Sequence, residues 1–208
     1  MRSDMLIRRG AVMAFLSVIC AAVMLIPSGA HACACCTDTG QRRVATEKLS
    51  DYQRGEIARL RFAPAASLFT GAADPQDLKG LRATTSSYDL EVRRTGGDIV
   101  FAFSDNGKPA GTLALAWPEQ IAVFEVDPRT DTREGGLGPR LYKEWRLTGK
   151  LVGTGIFAPS NHDATRITLI LQGGGNSCTS AEDFTAWTLV VDGPNAAYSF
   201  LGALVPPQ

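Results

Sequence analysis

The strongest constraint on the fold is a two-residue alternation of apolar and polar side chains from Ser87 to Val126, centred on Asp105-Asn106-Gly107-Lys108. Tyr88, Leu90 and Val92 share one face while Asp89, Glu91 and Arg93 take the other; Ile99, Phe101 and Phe103 repeat the pattern. A period of two places alternate residues on opposite faces of a β-strand. Asn-Gly tolerates the positive φ of a type I′ turn, so the break at Asn106-Gly107 predicts a tight hairpin. Thr112–Trp117 and Ile121–Val126 read as two further strands around Pro118-Glu119-Gln120, and the four are expected to form a meander.

The same period returns downstream. Leu141–Phe157 sets Tyr142, Glu144 and Arg146 against Trp145 and Leu147, and Gly149, Gly153 and Gly155 suggest a bend or bulge where the strand curves. Thr165–Gln172, Phe184–Val191 and Ala197–Ala203 are strands, the last two joined by a turn at Asp192-Gly193-Pro194-Asn195. Asp127–Arg140 is a charged, glycine- and proline-bearing surface loop. Upstream, Ser50-Asp51-Tyr52-Gln53 is a capping box opening a short helix that Gly55 limits, and the alternation of Ala58, Leu60 and Phe62 suggests a strand. Gln41–Leu49 suits an edge strand or a helix, and Asp74-Pro75 opens a helical turn ended by Gly80. The fold class expected is mainly β: one antiparallel β-barrel or β-sandwich of about 8–10 strands, with little helix. The bending glycines favour the barrel, which removes sheet edges.

The N-terminus has a different character. Arg2, Arg8 and Arg9 precede sixteen residues, Ala11–Ile26, interrupted only by Ser17, and Pro27-Ser28-Gly29 and Ala30-His31-Ala32 follow. This is the anatomy of a cleaved secretory signal, and the apolar run is shorter than the roughly 20 residues of a membrane-spanning helix. The expected organisation is a signal peptide at 1–32, a cysteine-rich segment at 33–55 and a β domain at 56–208. An exported chain, periplasmic or extracellular, follows from that reading. It meets a membrane only if the signal stays uncleaved or Cys33 is lipidated. Its 21 basic and 21 acidic side chains balance, so no strong field draws it to nucleic acid.

Chemistry concentrates in Cys33-Ala34-Cys35-Cys36, with one further mature cysteine at Cys178. In an oxidising compartment these four are candidates for disulfides, and a bridge to Cys178 would pin the N-terminal segment to the β domain. Closing a loop of about 140 residues carries a chain-entropy value near 5 kcal/mol at most. The alternative is a thiolate site for copper or zinc. Cys178 also lies between Gly173-Gly174-Gly175 and Glu182-Asp183 in a segment expected to be a flexible loop. His162, with Glu182 or Asp183, would complete a nucleophile, base and orienter if the loops met. No cofactor is called for unless the cluster holds copper or zinc. The expected function is an exported, non-enzymatic, barrel-like binding or accessory protein for an unknown small ligand or protein partner.

Overall fold

The computed structural model describes residues 40–127 and 141–207. Residues 1–39, which hold the expected signal and Cys33, Cys35 and Cys36, lie outside the described residues, as do 128–140 of the expected surface loop.

The chain forms a closed eight-stranded antiparallel β-barrel. Around the barrel run β3 (Ala65–Phe69), β4 (Ser87–Arg94), β5 (Asp98–Asp105), β6 (Lys108–Ala116), β8 (Leu141–Gly153), β9 (Arg166–Gly175), β10 (Phe184–Gly193) and β11 (Ala196–Val205). Pairing of β8 with β9 along ten residues closes it. β1 (Arg42–Lys48) and β7 (Gln120–Val126) extend the sheet beyond β8, and β2 (Arg61–Phe62) pairs with the end of β11. Arg42–Lys48 is thus an edge strand.

The β4–β5–β6 hairpins follow the alternation. Asn106 (φ 50°) and Gly107 (φ 75°) both occupy the positive-φ region that the type I′ turn requires. The meander, however, stops at β6. β7 does not fold back on it: both run along the same edge of β8, Leu113–Leu115 opposite Leu151–Gly153 and Ala122–Val126 opposite Tyr142–Arg146. Pro118 lacks the amide that a continuing ladder would use, so Trp117-Pro118-Glu119 breaks one long strand instead of reversing it. Gly149 faces that break, where a Cβ would lie 2.7 Å from Leu115 Cδ1. Close packing against Leu115 and Ala116 thus accounts for the glycine at this position.

Helix α1 (Asp51–Arg59) opens with both halves of the capping box. Gln53 N–H donates to Ser50 Oγ (3.2 Å) and Ser50 N–H to Gln53 Oε1 (2.9 Å). It runs through Gly55, so Ala58 and Arg59 are helical and the strand expected from Ala58 begins only at Arg61. A helical glycine costs about 1 kcal/mol against alanine, which burial of Ile57 to 1% exposure offsets.

Side chains fill the barrel. Phe101, Leu113, Leu169, Trp187, Leu189 and Phe200 are fully buried. Phe103 packs at ring-centroid distances of 4.6 Å from Phe200 and 5.0 Å from Phe157, and Phe62 at 5.7 Å from both Phe101 and Trp187. One end is plugged by the 3-10 turn Gly155–Ser160, which buries Phe157 and brings the Ser160 hydroxyl to the Tyr198 hydroxyl (2.8 Å). Across the other end lies α1. Its Arg54 stacks over Trp117 at 5.5 Å, its Tyr52 hydroxyl donates to the Thr179 carbonyl (2.7 Å), and Arg94 donates to the carbonyl of Leu60 (2.6 Å).

Candidate functional site

The site is at the α1 end, where the inward phases of two neighbouring strands turn from apolar to charged. On β7, Ile121 and Val123 lead to Glu125; on β8, Lys143 shares a face with Leu141, Trp145 and Leu147. Register sets Arg43, Glu125, Lys143 and Gly173 side by side across β1, β7, β8 and β9. Lys143 is fully buried and Glu125 is 2% exposed. A buried charge is tolerated only when paired and hydrogen-bonded, and the 176–183 segment supplies the partners. Lys143 Nζ donates to Thr179 Oγ1 (2.8 Å) and to Asp183 Oδ2 (2.9 Å), while Thr179 Oγ1 donates to Glu125 Oε1 (3.3 Å). Arg43 reaches Glu125 from the rim at 3.8 Å.

Glycine makes this convergence possible. At Gly173, the register partner of Lys143, a Cβ would stand 1.8 Å from the Asp183 carbonyl oxygen; at Gly175 it would stand 2.3 Å from Asp183 Oδ1. Gly173–Gly175 are therefore the end of β9, paired with Leu141–Lys143, and not part of a flexible loop. Asp183 also caps its own 3-10 turn by accepting from Ser180 N–H (3.0 Å). Nearby, the Glu56 carboxylate is buried and accepts from Ala181 N–H (2.6 Å), fastening α1 to the same segment.

Above the charged row is a cleft of about 330 Å³ between β1, the start of α1 and residues 177–179. Val123 and Trp145 contribute apolar surface, Glu125 a buried carboxylate, and Arg43, Glu47, Tyr52 and Gln53 the polar rim. Desolvation pushes the Tyr52 phenol above its ordinary pKa, helped by the negative charge of Glu56 and Asp183. Tyr52 therefore stays a hydrogen-bond donor, as its bond to Thr179 needs.

Cys178 lines this cleft. It is the one cysteine among the described residues. Glu182 is exposed and pairs with Arg59 at 3.6 Å, whereas Asp183 points to Lys143. His162 sits elsewhere, in the turn before β9, its Nδ1 accepting from Ala164 N–H (3.0 Å). The ten residues of β9 separate it from the Cys178 segment, a span of roughly 30 Å at strand geometry. The structure therefore brings Cys178 and Asp183 to one end and leaves His162 at the other. Among the described residues no group of three His, Cys, Asp or Glu side chains is placed to share a metal ion.

Lys143, Glu125, Thr179 and Glu56 escape a reading based on motifs. Their signal was nevertheless present for two of them: Lys143 and Glu125 each interrupt the apolar phase of an otherwise well-patterned strand. Comparison of the chain with protein-family models, curated proteins and solved structures finds no match.

Proposed function

We propose that this chain is an exported, non-enzymatic binding or accessory protein that takes its ligand at the α1 end of the barrel. The observation carrying this reading is the division between a filled interior and a polar cleft beside α1. The barrel core is closed by packed aromatic rings, while the cleft beside α1 combines apolar surface with charged and amide groups. Such a mixture, a few oriented polar groups over an apolar floor, is what small-ligand sites use.

Cys178 fits a supporting role at this rim. In this reading a disulfide between Cys178 and one of Cys33, Cys35 and Cys36 would tie the N-terminal segment to the β domain. Peptide mapping without reduction is expected to yield Cys178 linked to the 33–36 peptide; a Cys178 peptide recovered with a free thiol contradicts this. Copper or zinc binding by the cluster rests on cysteine spacing, and a bridged Cys178 supplies it no thiolate.

Binding is tested by thermal unfolding of the mature protein against a panel of small polar and aromatic metabolites. A ligand present at about one hundred times its Kd stabilises by about 2.7 kcal/mol. At least one compound is expected to raise the midpoint of the wild type, and Arg43→Ala to lose that rise. Equal shifts in both proteins, or none in either, contradict the reading.

A further inference from the structure

We propose that Lys143 and Asp183 become joined by an intramolecular isopeptide bond, with Glu125 relaying protons. Three observations converge on it. The amine is fully buried and held 2.9 Å from an oxygen of the carboxyl group, and holding the two groups side by side gives the pair a large effective concentration. The carboxyl lies against bare glycine backbone at Gly175, and the Asp183 backbone lies against Gly173, so that no side chain at either position stands in the way of its approach to Lys143. A second carboxylate, the buried Glu125, connects to the same amine through the Thr179 hydroxyl.

The step balances within the protein. Lys143 gives one proton to Glu125 through Thr179, and its freed nitrogen lone pair attacks Asp183 Cγ. The C–N bond forms as charge collects on Oδ2, where Ser180 N–H already donates (3.0 Å). Such a fixed donor stabilises a developing oxyanion. A second proton leaves the nitrogen, Oδ1 departs with two protons as water, and Glu125 returns to its starting ionisation. The product is a neutral amide and one water; no oxidant, metal or cofactor takes part. Exchange of the buried ammonium and its partly buried partner for an amide also removes the desolvation burden that the Lys143 charge carries.

Intact-mass measurement on the mature protein, fully reduced and alkylated so that disulfides do not contribute, tests the bond directly. The wild type is expected to be lighter than its linear sequence by one water. Proteolysis should release a branched peptide carrying Lys143 and Asp183. Lys143→Arg and Glu125→Gln, each checked for native β structure by circular dichroism, should show the full linear mass. A wild type at full linear mass overturns the proposal. So does a lost water that maps to linear peptides, as a succinimide would give. A Glu125→Gln protein that still loses water overturns the relay assigned to Glu125. None of these outcomes depends on whether the cleft binds a ligand.

Discussion

At the scale of single residues, position on a strand explains more than residue type. Lys143 and Glu125 are ordinary surface residues by composition, yet register turns both inward, where the 176–183 segment and Arg43 satisfy them. Tyr198 shows the same logic at the far end. Desolvation pushes its phenol up to about 12, a rise that the Ser160 hydrogen bond partly opposes. A phenol raised in the folded state favours folding below its unfolded pKa, and that stabilisation is lost as pH climbs toward the folded value. Between about pH 10 and 12, wild-type stability is expected to fall by about 1.4 kcal/mol per pH unit more steeply than that of Tyr198→Phe. Urea titrations of both proteins across that range measure the difference. Parallel slopes contradict the assigned burial.

Elements differ in how far the sequence discloses them. The Asn106-Gly107 hairpin and the Ser50 capping box were legible because their signals are local: a backbone conformation that few residues tolerate, and a side chain three residues from its partner. The end of α1 was not, since five residues from Ala58 to Phe62 satisfy a strand pattern equally well, and burial of Ile57 decides for the helix. Nor was the alignment of β7 with β6, which depends on the distant β8 offering one edge long enough for both. Gly173–Gly175 looked like a loop because close approach by Asp183 leaves no trace in the local pattern. For α1, Ser50→Ala removes the acceptor for Gln53 N–H and is expected to cost about 1 kcal/mol. Denaturant unfolding should show a lower midpoint with an unchanged m-value; an unchanged midpoint would mean that tertiary contacts alone hold the helix start.

For the whole molecule, the division between a packed barrel and a polar end decides where function can sit. Eight strands leave an interior just wide enough for side chains, and here aromatic rings occupy it. The count of short strands pointed to a barrel or a sandwich, and the glycines only favoured the barrel; the closure and the location of the cleft were not legible. That location follows from β1, α1 and the Cys178 segment meeting over β7 and β8, a long-range convergence without a sequence motif. Amide-resolved NMR of the mature protein, titrated with compounds from the same metabolite panel, tests the account most directly. Shift changes are expected to cluster at Arg43–Glu47, Ser50–Gln53 and Ser177–Thr179, with interior positions such as Phe101, Leu113 and Leu189 unmoved. Changes centred on those interior residues, or no change with any compound, would contradict it.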